Sequence, residues 1–410
     1  MEKIRAYLRE YHPIVHSLIV GTVFVRAASS MSMPFLFIYL SKHTNMTLSE
    51  IGLTIGAGSL FGMLGGFVGG TLSDKFGRRV IMLGALYTWS LVFLGFAYGD
   101  HPYVFFLLNG LSGLCRSFYE PVSQALMADL TPSAKRYRVF ALRYTAINVG
   151  VAVGPLVGAV LALNEDSLPF LVTAIAYLLY VVFLQLLLNR FGIKQIEGQK
   201  KEIVSFAKAI NVVSHDKAFG LYILGSTLGA ISYSQMSTTL AKFVEITVHD
   251  GVQLFAVLMS VNAVVVVLMQ LPLTKWAERR TPLQSIFAGN VLYAIGNVGF
   301  AYSQGWTLFI LAMTVFTLGE VLSMTTSDVF IDRLAPEDLR GAYYGARSFS
   351  HLGTFIGPWM GGFLLHSCGG TSLFITVALV TLVSTIFYWL GEKQYAASRS
   401  GKQLLRMTVK

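Results

Sequence analysis

The stretch GGTLSDKFGRRV, residues 69–80, sets Asp74, Lys75, Arg78 and Arg79 between two of the most apolar segments of the chain. A charge knot so placed marks a point where the chain leaves an apolar medium, turns and re-enters it. The composition around it agrees. Of 410 residues, 54% are hydrophobic and 13% charged, with a mean hydropathy of +0.61, whereas a soluble domain carries about a quarter charged residues. A helix of roughly 20 apolar residues crosses about 30 Å of hydrocarbon. Twelve such runs are counted, near 15–40, 48–71, 80–99, 102–128, 138–163, 167–189, 219–241, 252–273, 283–303, 306–330, 341–366 and 371–391.

The net charge of +10 follows the topology and needs no nucleic acid. With the N-terminus inside, 25 of the 31 Lys and Arg fall in cytoplasmic segments and only Lys42 and Lys242 fall outside. Arg26, Arg116, Arg143 and Arg347 lie within spans or at their ends. The positive-inside rule then places both termini in the cytoplasm. The basic N-terminus before an apolar run resembles a signal peptide, but the run resumes through MSMPFLFIYL, so a retained first span is expected. Cys115 and Cys368 form no metal-ligand spacing or disulfide framework. There is no phosphate loop and no H-E-x-x-H, so no enzyme, cofactor or metal is expected and energy must come from an ion gradient.

The chain is internally repeated. DLTPSAKRYRVFALRYTAINVGVAVGPLVG from Asp129 and DRLAPEDLRGAYYGARSFSHLGTFIGPWMG from Asp332 share an Asp, a Pro, an Arg-bearing loop and a closing G-P-x-x-G. The expected organisation is an N-terminal six-helix bundle over 1–190, a cytoplasmic linker over 191–217, a second bundle over 218–392 and a basic tail over 393–410. The middle of the linker, EIVSFAKAINVV, reads either as an amphipathic helix on the membrane surface or as a plain connection.

A same-sense repeat of two six-span halves is the arrangement of the major facilitator superfamily. Gly70-Thr71-Leu72-Ser73-Asp74-Lys75-Phe76-Gly77-Arg78-Arg79 resembles that family's signature between spans two and three, and the degenerate LPLTKWAERRTP, residues 271–282, stands at the repeat position between spans eight and nine. The resemblance implies an all-α membrane protein with twelve transmembrane helices in two pseudo-symmetric six-helix bundles. Gly70 and Gly77 permit a tight turn. Asp74 can sit at a neighbouring helix N-terminus, and Arg78 or Arg79 can pair with an acidic residue such as Asp129, the resemblance pointing to Arg78. These residues, with Asp332 as the repeat of Asp129, form an expected cytoplasmic gate; a plain topological anchor is the alternative. Gly62, Gly66 and Gly70 recur every fourth residue, which implies close helix approach.

GVAVGPLVGA, residues 150–159, resembles the G-x-x-x-G-P-x-x-G-G motif of the drug/proton antiporters within the superfamily, through Gly150, Gly154, Pro155 and Gly158, with Ala159 in place of the last Gly. An ordinary kinked packing helix has the same shape. Where exporters often carry an Arg in span four, this chain has Asn109, and Arg116 lies two turns on.

Four ionisable groups sit inside apolar runs: Arg26, Arg116, Glu120 and Glu320. Facing lipid, each would cost at least about 2.5 kcal/mol, so each is expected to face protein or a wet cavity. By the resemblance, spans one, four, seven and ten line that cavity, and these groups lie on spans one, four and ten. Arg116 and Glu120 are one helical turn apart, with Arg26 as a competing cation. Glu120 is either a coupling carboxylate or half of a permanent salt bridge. Glu320, with no cation on its own span, is either a proton or cationic-substrate site or a hydrogen-bonded structural group. Phe118, Tyr119, Tyr233, Gln235 and Met236 are candidate substrate-binding walls.

These readings together describe a monomeric, multi-pass protein of the cytoplasmic membrane, in a lipid bilayer, exporting a small amphipathic molecule in exchange for protons by alternating access. A proton-coupled transporter of one metabolite or lipid is the alternative, and a non-transporting membrane sensor is the alternative from another class.

Overall fold

A computed structural model describes residues 11–162, 166–193, 206–335, 343 and 345–408. Gly70 belongs to a described helix, while the surroundings of Gly70 and the side chains of Asp74, Asp328 and Asp332 lie outside what is described, and with them part of the expected gate.

The chain is helical where described. The first span is α1, Pro13–Ser32, continued after a short 3-10 turn at Met33–Phe35 by α2, Leu36–His43. The break falls at Pro34, which has no N–H to give the helix ladder. Then come α3, Leu48–Phe76; α4, Arg78–Tyr98; α5, Pro102–Asp129; α6, Ser133–Ala162; and α7, Leu168–Arg190. A short α8, Phe206–His215, lies in the linker. The second half opens with α9, Lys217–Ser237, interrupted at Thr238 before α10, Thr239–Thr247. It continues with α11, Gly251–Ala277; α12, Pro282–Tyr302; α13, Trp306–Leu334; and α14, His351–Thr408. The interruptions at Pro34 and Thr238 occupy matching places in the two halves.

Local chemistry sets the helix ends. Thr47 with Glu50 and Thr281 with Gln284 form reciprocal capping boxes at the starts of α3 and α12, satisfying orphan N–H groups. Gly77 alone joins α3 to α4, at φ +86° with open space around it, so the signature loop is a one-residue reversal that any Cβ would strain. His12 caps α1, its Nδ1 accepting from the Ile14 N–H at 3.2 Å. Burial lowers its pKa, which keeps the ring neutral and able to accept.

α14 is two antiparallel passes joined at Gly369, φ +79°. Before the bend, Gly353 meets the Thr227 carbonyl and Gly361 meets Gln235, so this arm rises with α9. After it, Thr381 donates to Ser232 at 2.8 Å and Gly391 lies against Ala218, so the second arm descends along α9. Eight stretches among the described residues are long and apolar enough to cross a membrane, and one of them, Arg347–Ala397, holds both arms. The more polar α5, α9 and α12, of 28, 21 and 21 residues, complete the twelve passes.

The outer surface is apolar, as a bilayer requires. On α7, Ile175, Leu178, Leu179, Val182, Phe183 and Leu186 are exposed at helical spacing, while Thr173, Tyr177, Val181, Leu184 and Leu188 on the opposite face are buried. One core draws on residues between Tyr11 and Leu188 in the first half. A second belongs to the other half but takes in Phe35, Ile38 and Ala159 from the first, and a third lies where α9, α13 and the end of α14 meet.

Glycine contacts show the two-fold repeat. In the first half Gly150, Gly154 and Gly158 of α6 lie against backbone of α1 at Val23, Ala27 and Met31. In the second half Gly353, Gly357 and Gly361 lie against α9 at Thr227, Ile231 and Gln235. The antiporter-like motif therefore works as a helix-packing surface, and Gly150 also touches the Cβ of Arg26. In α3 the close face against α5 is Gly58, Gly62, Gly65 and Gly69, whereas Gly66 faces open space. This corrects the expected Gly62, Gly66, Gly70 stripe. Asn109, at the place where an Arg is common, donates to the Thr54 and Ile55 carbonyls of α3 at 2.8 and 2.7 Å and is structural.

The halves meet along α3 with the first arm of α14, where Gly52 and Gly56 lie against the Pro358 and Phe355 carbonyls, and along α6 with α11, where Ser260 donates to the Ala152 carbonyl at 2.6 Å. At the end away from the linker, Phe35 and Phe255 meet edge to face, and Lys42 of α2 approaches Glu245 of α10 at 3.8 Å. Lys242 holds the same carboxylate at 2.5 Å. At the linker end Phe67 faces Phe349 and the Tyr144 hydroxyl donates to Gln270 at 3.5 Å. Glu245→Gln is expected to loosen the far end. Spin labels at Asn45 and Ile246 should show a longer distance population than in the wild type; an unchanged distribution means the pair seals nothing.

Candidate functional site: charges between the two halves

Arg26, on α1, is carried where α1 is pinned against α6 by Gly150. Its Nη2 donates to Glu120 Oε1, and Arg116 Nε donates to the same oxygen at 3.1 Å. Glu120 immediately precedes Pro121 within α5, and Pro121 cannot donate to the carbonyl of Ser117, which relaxes the ladder beside the carboxylate. Arg143 of α6 lies within electrostatic reach of both Arg26 and Glu120. The side chains of Arg26 and Glu120 are 19% and 24% exposed, that of Arg116 58%. The structure thus brings Arg26, Arg116 and Glu120 together and adds Arg143, whose part the sequence alone did not indicate.

Glu320 occupies the other half. Gly319 fits against the Gly289 carbonyl and the Tyr293 N–H of α12, so α13 and α12 approach closely beside the carboxyl. Asn262 of α11 donates to Glu320 Oε2 at 2.7 Å and to Thr317 Oγ1 at 3.0 Å, and Thr317 donates on to the Met313 carbonyl. No cation lies within ion-pairing distance of Glu320 among the described residues. Asn262 is the partner that sequence reasoning missed. Its signal is a single amide inside the apolar run LFAVLMSVNAVVVVLM.

The hydroxyls of Tyr144, Tyr233 and Tyr293 all feel the Glu320 charge, and Tyr233 also feels Arg26 and Arg116. Tyr233, from α9, is thus within electrostatic reach of the charge clusters of both halves. The other expected wall residues are occupied elsewhere. Tyr119 is buried in the first core with its hydroxyl 3.1 Å from that of Tyr180. Phe118 packs onto α3 at Gly69. Gln235 is fully buried, its amide donating to the Ile231 and Gly357 carbonyls and accepting from Thr239 at 2.6 Å, and Met236 lies in the second core. Burial leaves Tyr119, Gln235 and Met236 little surface to offer a substrate, whereas Phe118 is half-buried and keeps a face open.

At the linker end, Arg79 donates to the Ile193 carbonyl at 2.7 Å and to Asn189 Oδ1, clamping the end of α7. Asp129 ends α5 and Arg78 begins α4.

Residues 18–351 match the Major Facilitator Superfamily. The chain is 38% identical over 391 residues to the uncharacterized MFS-type transporter YqjV of Bacillus subtilis strain 168, covering 94% of this chain and 95% of that one. It is 27% identical over 380 residues to a Na(+), Li(+), K(+)/H(+) antiporter of Planococcus maritimus, covering 86% and 89%. The crystal structure of a mutant of the peptide transporter POT superposes with a TM-score of 0.79 at 15% identity, over 93% of this chain and 94% of that one. At that identity the last likeness concerns the fold alone. The chain belongs to the Major Facilitator Superfamily, and it is a multi-pass secondary transporter of small molecules, not an enzyme.

Proposed function

We propose that the protein exports a small amphipathic compound across the cytoplasmic membrane in exchange for protons, by alternating access between its two halves. The observation that carries the reading is Glu320: a carboxyl inside an apolar span, held by the Asn262 amide and without a cation beside it among the described residues. Such a group can change its protonation without breaking an ion pair. In the other half, Glu120 is tied to two arginines, and Tyr233 lies within electrostatic reach of Glu320, Arg26 and Arg116. A rocking of the halves would change the distance between these two carboxyls and the exposure of each. We assign proton binding to Glu320, with Glu120 as the second carboxyl whose partners exchange during the cycle. The Planococcus relative, named as an exchanger of alkali cations for H+, supports proton coupling.

Arg78 with Asp129 at the linker end is proposed as the gate of the outward-open state, and the Lys42–Glu245–Lys242 group as its counterpart at the far end. Both termini then lie in the cytoplasm, and one copy contains the whole path. Reconstituted vesicles with an imposed pH gradient provide the test. Amphipathic solutes should move against their own gradient when protons run the other way, and collapse of the pH gradient with an ionophore should stop them. Flux indifferent to the pH gradient would sink the reading.

A further inference from the structure

The cluster in the first half carries more positive charge than it needs. Arg26 and Arg116 converge on one oxygen of one carboxylate, and Arg143 stands within electrostatic reach of the pair. Guanidinium groups stay charged in proteins, so three cations share one ionised Glu120 within the spans, where uncompensated charge is costly. The Arg143 Nε atom is buried and has no hydrogen-bond partner, and the Arg116 side chain is more than half exposed. One donor therefore lacks an acceptor, and one guanidinium is open to an incoming group. The planar fork of Arg matches a carboxylate or phosphate with two parallel N–H···O bonds, which a point charge such as Lys cannot do. Tyr233, from the other half, lies within electrostatic reach of Arg26 and Arg116 and is the aromatic side chain nearest in role to an apolar wall.

We infer that the transported compound is an amphipathic anion whose carboxylate or phosphate is held by Arg26, Arg116 and Arg143, with its apolar part against Tyr233. This deepens the transport reading above and rests on it. Glu120 then has a definite place: it occupies Arg26 and Arg116 when the site is empty and gives way to the anion when it is filled.

The test uses purified full-length protein in lipid nanodiscs and four probes that share a naphthalene ring: 2-naphthoate, 2-naphthyl phosphate, 2-naphthylmethylamine and 2-naphthamide. Titration calorimetry should show one or both anions binding at least about tenfold more tightly than the amine and the amide. The preferred anion distinguishes a carboxylate from a phosphate substrate. Arg116→Gln should weaken anion binding by about tenfold at an unchanged melting temperature, and Arg116→Lys should recover part of the loss. If Arg116→Gln fails to fold, Arg143→Gln should show the same selective weakening. Amine binding as tight as anion binding, anion binding that neither variant alters, or no anion binding by the wild type would overturn the inference. The two readings fail separately. Amines driven by a pH gradient would preserve proton-coupled export and refute the anion site, while anion binding without pH-driven flux would do the reverse.

Discussion

Glu320→Gln reduces pH-driven transport to the level of empty vesicles, while the protein remains folded and still binds its substrate. The amide keeps the shape of the side chain and can still accept from Asn262, whose Nδ2 lies 2.7 Å from Oε2. It cannot take up or release a proton. The variant therefore separates coupling from architecture, with no cavity and no unpaired charge left behind. Flux with and without an imposed pH gradient is the measurement, alongside the melting temperature. Full coupling in Glu320→Gln would remove Glu320 from the mechanism. Glu120→Gln is a harsher change, because it keeps an acceptor oxygen but leaves Arg26 and Arg116 without the negative charge they share, and it should lower stability as well as transport.

Gly158→Ala destabilises the protein by about 3 kcal/mol, near the upper end of what an added methyl group costs in a packed interior. Its Cβ would overlap the Met31 carbonyl oxygen and press on the Met31 backbone, and a backbone pinned inside a helix cannot swing aside. The repeat-related Gly361→Ala meets the end of the Gln235 side chain and the Thr239 methyl, which can shift by giving up the Thr239–Gln235 hydrogen bond without moving backbone, so it should cost less. Gly66→Ala meets nothing and should be neutral or stabilising by about 0.5–1 kcal/mol from helix propensity alone. Melting temperatures of the three variants in one detergent test the order. Equal melting of Gly158→Ala and wild type would show that α1 and α6 are not held by close backbone approach.

Much of this was legible in the chain. The twelve spans follow from apolar runs, and the repeat from G-P-x-x-G, because both are written in contiguous residues. The charge cluster was legible too, since an ionisable group inside an apolar run has to find a partner there. What was not legible depended on rotational phase. A step of four residues turns a helix about 40° past a full revolution, so Gly62, Gly66 and Gly70 drift off a common face while Gly58, Gly62, Gly65 and Gly69 stay on one. The same uncertainty of phase hides from the sequence that Tyr119 turns into the first core, onto Tyr180. Asn262 was invisible for another reason: its meaning lies in a bond to Glu320 on a different span, and one sequence does not encode which spans are neighbours. Arg143 is, in the sequence, a charge within or at the end of a span, and its value comes from the converging α1 and α5.

The interruptions at Pro34 and Thr238 divide the opening span of each half into two levers. The inner levers carry Arg26 and Tyr233, and the outer tips carry Lys42, Lys242 and Glu245. A tip can tilt about its own elbow while the inner lever stays pinned by glycines. Unsealing that mouth requires parting Lys42 from Glu245 and Phe35 from Phe255, and with them the start of α3 from the first arm of α14, where Leu48 and Gly52 lie against Gly362 and Pro358, so the doorway is fastened by charge, rings and backbone together.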